Sequence, residues 1–108
     1  MIKGFRTYDL ALSFHKQCQK LKLPSPMNDQ FQRASLSVVL NISEGSAKQS
    51  KKDRGRFYRI SFGSLRETQT LLDIVGHVEL ICQADVLGQL ISTNYVKAVN
   101  EGESSFTV

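Results

Sequence analysis

Tryptophan is absent from this 108-residue chain, proline and cysteine occur twice each, and glycine occurs seven times. An all-β domain of this size needs a turn every ~8–12 residues and normally uses more Gly and Pro than this, so the composition leans away from sandwiches and barrels and towards helices. Without Trp, the core has to come from aliphatic side chains, six Phe and three Tyr. No apolar stretch approaches the ~20 residues of a membrane span. Within residues 1–16 every short apolar run carries a charge and no small-residue cleavage site follows, so no signal peptide is expected. Cys18 and Cys82 lie far apart without metal-type spacing, and their apolar neighbours predict two buried free thiols in a reducing compartment. The chain is therefore expected to be soluble and cytoplasmic. Its length fits a single domain over residues 1–108, and 41% hydrophobic with 22% charged residues are ordinary globular values.

Acidic residues are scarce in one half. Residues 1–59 hold twelve Lys and Arg against four Asp and Glu, a net +8, whereas residues 60–108 hold two against six, a net −4. The overall +4 is mild; its division is not, and it points to an anionic partner for one part of the chain.

The apolar spacing is helical throughout. Leu10, Phe14, Cys18 and Leu21 mark one face of a first helix over about Thr7 to Leu21, which the Leu23–Pro26 segment stops. A second helix is predicted from about Pro26 to Glu44, with Ser25 as cap and Pro26 in the first helical position. It is apolar around much of its circumference and rich in small residues, so it is expected to be central and closely approached. Gly45 suits a left-handed helix end. Ser50 with Asp53 fits a capping box opening a third helix over about Lys51 to Val75. Gly63 lies inside that helix, where close packing against another backbone would compensate its cost. Gly76-His77 is weak punctuation, and a last helix is predicted to begin near Gln83 or Ala84, with a frayed tail from about residue 102. The fold class is all-α: an antiparallel up-down-up-down four-helix bundle.

Two constellations stand out. Lys48, Lys51, Lys52, Arg54, Arg56 and Arg59 surround a single Asp53, a net +5 in twelve residues at a helix start. Exposed N–H groups and the macrodipole attract anions there, and Lys and Arg add phosphate contacts without sequence specificity. Of the interleaved aromatics, Phe57 is predicted to join the core and Tyr58 to stay at the surface, where it can stack on unpaired bases. The competing reading is a solvated helix start that keeps the protein soluble. The second constellation, Arg33, Ser37, Asn41 and Glu44, shares one helix face, with Arg66 and Glu67 on the next helix. Pairs such as Arg33 with Glu67, or Glu44 with a basic residue, would fix register within the bundle or between subunits. Catalysis finds no support: His15 and His77 lack partners at ligand spacing, and no phosphate loop, dinucleotide fingerprint or zinc-protease motif is present. No catalytic residue, metal or cofactor is expected.

The segments Arg33-Ala34-Ser35-Leu36-Ser37, Asn41-Ile42-Ser43-Glu44-Gly45-Ser46, Asp53–Ile60 and Gly63-Ser64-Leu65-Arg66-Glu67 follow one another in the order and spacing of a known bacterial family. The chain resembles the four-helix bundle proteins encoded in intervening sequences of 23S ribosomal RNA genes, over roughly residues 5–100 and most specifically over 33–67. It departs from the usual pattern at Ser43 and Ser61, where Ala is common. The resemblance implies a ring-like homopentamer and a relation to the accessory variability proteins of diversity-generating retroelements, which bind a reverse transcriptase and nucleic acid. It carries Arg33, Ser37, Asn41, Glu44, Gly45, Gly63, Ser64 and Glu67 as motif positions. The leading expectation is a non-catalytic oligomer that binds RNA or other nucleic acid through the basic helix start. The alternative is a scaffold for a protein partner such as a reverse transcriptase.

Overall fold

The apolar periodicities resolve into four α-helices: α1 Arg6–Lys20, α2 Met27–Ser46, α3 Lys51–Val75 and α4 Val78–Thr107. The computed structural model describes the backbone of residues 5–107 and the side chains of residues 5–100, and no strand occurs among them. The frayed tail expected from about residue 102 lies outside the described side chains. The helices form a four-helix bundle, in which α1 packs on α2 and α4, and α3 packs on the same two. Phe14, Phe31, Val38, Ile42, Leu65, Leu72, Leu87 and Ile91 are fully buried in one cluster drawn from all four helices. At 52 × 24 × 21 Å the bundle is a rod.

Helix ends depart from expectation where tertiary contacts outweigh local signals. α2 begins at Met27, with Pro26 at the N-cap and no side chain capping it. Its entry is held from elsewhere: Asn28 Oδ1 accepts from the Leu23 N–H, and Gln32 Nε2 donates to the carbonyls of Cys18 and Leu21. α4 begins at Val78, earlier than the predicted start near Gln83 or Ala84. Gly76, at φ 75°, is the left-handed cap that ends α3, and its N–H returns to Leu72 O at 2.8 Å. His77 Nδ1 then accepts from the Leu80 N–H at 3.3 Å and opens α4, whose first turn buries Leu80. The weak-looking Gly76-His77 pair is thus the whole connection.

Two glycines exchange the roles predicted for them. Gly45 does not end α2 in a left-handed turn; it is buried within the helix, which continues to Ser46. A Cβ there would stand 3.0 Å from Phe57 Cβ, 3.0 Å from Tyr58 Cε1 and 3.2 Å from Arg54 O. Gly45 is therefore where α2 lies directly on the first turns of α3. Gly63, expected to pack against a backbone, is exposed, and a Cβ added there would meet nothing within 4 Å.

The α2–α3 seam is joined by hydroxyls. Ser61 Oγ, fully buried, donates to Val38 O at 2.8 Å, Ser37 Oγ meets Ser64 Oγ at 2.7 Å, and Ser46 Oγ meets Tyr58 OH at 3.3 Å. Across α1 and α2, His15 Nδ1 lies 2.8 Å from Ser35 Oγ in a buried site that also holds Cys18. Burial pushes the Cys18 thiol up to about 12, opposed by its hydrogen bond with Ser35. Cys82, predicted to be buried, is exposed on α4 instead, because it falls between the buried positions Leu80 and Ala84.

Replacing Gly45 with Ala forces a contact onto backbone and Cβ atoms that cannot rotate away, and is expected to cost about 1–3 kcal/mol in chemical denaturation. Gly63→Ala, in open space on a helix, is expected to stabilise by about 0.5–1 kcal/mol. Equal effects at the two positions would contradict the packing described. Burial also lowers the His15 pKa below its ordinary 6.5. The unfolded chain therefore takes up a proton that the folded imidazole refuses, so the contribution is intact above pH 6.5 and stability declines as pH falls below it. Denaturation midpoints between about pH 7 and pH 5 should show this decline, and His15→Gln should flatten it.

Candidate nucleic-acid interface

The start of α3 is built by a capped turn. Ser50 is the N-cap, extended at ψ 131°, and its hydroxyl accepts from the Asp53 N–H at 3.3 Å. Asp53 in this first turn complements the helix dipole. The close crossing at Gly45 then fixes where this turn sits, because the residues over Gly45 are Arg54, Phe57 and Tyr58.

The basic residues divide by helical position. Lys52, Arg56 and Arg59, spaced four and three apart, are exposed along one outward face of α3. Lys51 is also exposed. Lys48 and Arg54 are half-buried and held: Lys48 Nζ pairs with Glu44 Oε2 at 3.2 Å, and Arg54 Nη2 donates to Lys48 O at 3.1 Å. The Arg56 guanidinium lies 4.7 Å from the Phe57 ring centroid, and Lys48 Nζ lies 5.3 Å from it. These cation–π contacts gather charge around a ring that is itself half-exposed.

The two aromatics hold the reverse of their predicted places. Tyr58, the expected stacking surface, is only 5% exposed, its ring pressed against Gly45 and its hydroxyl at Ser46. Phe57, expected in the core, is the ring that reaches the surface. The periodicity places both near the α2-facing side; the missing Cβ of Gly45 decides which ring enters.

The motif positions carried by the resemblance fall into two groups. Ser37, Asn41 and Ser64 form a network in which Asn41 Nδ2 donates to Ser37 O at 2.9 Å and to Ser37 Oγ at 3.0 Å. Glu44 finds its basic partner in Lys48, four residues on. Arg33 and Glu67 are both exposed, and no ion pair joins them among the described residues; they sit on outward faces of α2 and α3. Lys97, far along the chain on α4, is missing from the sequence-predicted set. Only the return of α4 to the start of α3 brings it beside Arg54.

Among the described residues no group of three or more His, Cys, Asp or Glu is placed to hold a metal, and no helix is long and apolar enough to cross a membrane. What remains is a cationic helix start with Lys48 and Arg54 tethered and Lys51, Lys52, Arg56 and Arg59 exposed. Fold and site together define a small all-α four-helix bundle protein with exposed basic residues in the first turns of α3. The chain belongs to the 23S rRNA-intervening sequence protein family, whose model matches residues 5–98. No curated protein and no solved structure matches it.

Proposed function

We propose that this protein is a non-catalytic, oligomeric RNA-binding bundle of the cytoplasm that holds phosphates at the start of α3. The observation that carries this reading is the outward row of Lys52, Arg56 and Arg59 in the first turns of a capped helix, with no carboxylate on that row. Backbone N–H groups, the dipole and three outward-reaching cations favour the same anion. The family's name, tied to ribosomal RNA, favours RNA as the polyanion. A non-catalytic role is supported by the histidines, since His15 is buried against Ser35 and His77 caps α4.

The proposed helix order is antiparallel, up-down-up-down. It is supported by Thr7 bonding Asn94 while Gln17 accepts from Gln83, and by Val38 with Ser61 while Ser46 meets Tyr58. The proposed assembly is a homopentamer, the state implied by the family resemblance. Its support here is the large apolar side chains left on adjoining outer faces: Leu36 and Leu40 one turn apart on α2, and Ile60 on α3, with Leu40 56% exposed. Five copies of a +4 chain would carry +20 and repeat the basic helix start around a ring.

Replacing Lys52, Arg56 and Arg59 together with Gln should weaken RNA binding and reduce the slope of log K against log salt by about 2, at ~0.7 per lost single-strand contact. Fluorescence anisotropy between about 50 and 200 mM salt measures this, and an unchanged slope overturns the interface. Light scattering should give about five times 12.1 kDa, and Leu40→Lys should lower that mass. A wild-type monomer overturns the assembly.

A further inference from the structure

A cleft opens on the other side of Arg54 from the outward row, between the start of α1, the start of α3 and the end of α4. Phe5, Arg54, Tyr58, Asn94, Lys97 and Ala98 line it. Its chemistry is one-sided. Arg54 and Lys97 bring two cations, and no carboxylate is among the described residues lining it. Arg54 commits one N–H to Lys48 O, which fixes the guanidinium and leaves its remaining donors available. Asn94 Oδ1 accepts from the Thr7 hydroxyl at 2.5 Å, so the oxygen is engaged and Nδ2 is the group that can donate to a ligand. The Phe5 ring is half-exposed at the rim, and the Tyr58 ring forms part of the floor.

A second feature converges on the same place. Phe5 is the N-cap of α1 and provides no side-chain cap, and the first bond of the helix runs from the Asp9 N–H to Phe5 O. The Phe5 side chain thus caps none of the N–H groups in the first turn of α1, and the positive end of a fifteen-residue helix lies beside Phe5 at this cleft. At about 280 Å³ the cleft falls just below the ~300–1,000 Å³ range of small-ligand sites, a size that limits any occupant to a single nucleotide.

The geometry points to a subsite for one unpaired nucleotide, with its phosphate on Arg54 and Lys97, its base against Phe5, and Asn94 donating to a base edge or sugar oxygen. This rests on the RNA-binding reading and deepens it. The outward row meets any polyphosphate backbone, whereas the cleft admits only a nucleotide free of a duplex, since a paired and stacked base presents no face to Phe5. The pair of surfaces would give the protein a preference for single strands that Lys52, Arg56 and Arg59 alone cannot supply.

The test uses the full-length chain and three small probes: a nucleoside monophosphate, the corresponding nucleoside and inorganic phosphate. Titrations followed by the amide resonances of residues 5–8 and 94–98 should show the monophosphate binding more tightly than either part. Lys97→Gln, at an exposed position, should weaken monophosphate and phosphate about tenfold. Phe5→Leu should weaken the monophosphate and leave phosphate unchanged. In parallel, single-stranded and duplex RNA are compared on wild type and Lys97→Gln, with the single-strand preference expected to fall in the variant. No response of these resonances to millimolar monophosphate overturns the subsite, as does a response that Lys97→Gln leaves intact. RNA binding that depends on the outward row while the cleft stays silent would sink the subsite alone. Monophosphate binding in the cleft without RNA binding would sink the RNA interface alone.

Discussion

The approach of α2 to α3 at Gly45 is the constraint on which the rest of the molecule depends. A helix pair normally keeps its axes ~8–10 Å apart because side chains stand between them. Here one side chain is missing, and Phe57 Cβ, Tyr58 Cε1 and Arg54 O fill the space it would take. That contact sets the rotation of α3 about its own axis. Tyr58 turns in, Phe57 turns to the rim, and Lys52, Arg56 and Arg59 are left facing outward. A basic cluster that reads as one run in sequence thereby becomes two surfaces, with Arg54 on the boundary between them.

The α3 boundaries are legible residue for residue, because a capping serine, a long 3–4 periodicity and a terminal glycine agree with one another. The all-α class is legible from composition together with the 3–4 apolar periodicity. The start of α4 is not legible, since Val78 and Glu79 carry weak local signals and the helix there is held by Leu80 in the core and by a histidine acting as cap. Gly45 and Gly63 show the same limit more sharply. Both are glycines within helices, and nothing local distinguishes them; what lies across from each does.

The candidate site divides along similar lines. The cationic residues are visible as a run, because charge density is a property of the chain. Which of them are tethered is not, because Lys48 is held by Glu44 and Arg54 by a carbonyl six residues earlier. The exchange of Phe57 and Tyr58 has the same origin as the glycines: two adjacent aromatics compete for one gap, and the gap belongs to another helix. Lys97 is invisible for a topological reason, since it joins Arg54 only once four helices have returned the chain to the same end.

The hydroxyl bonds between α2 and α3 act as a vernier. Ser46 with Tyr58, Ser61 with Val38, and Ser37 with Ser64 sit at three heights along the seam. Sliding one helix past the other by a single turn, about 5.4 Å, would break all three together. The fully buried Ser61 hydroxyl, left without its partner, would alone cost about 1–3 kcal/mol. An alanine seam would carry no such penalty, so these bonds oppose shear between the two helices. The register of α3 against α2 is thereby set by three bonds as well as by packing, and the helix start that carries Lys52, Arg56 and Arg59 is placed with it.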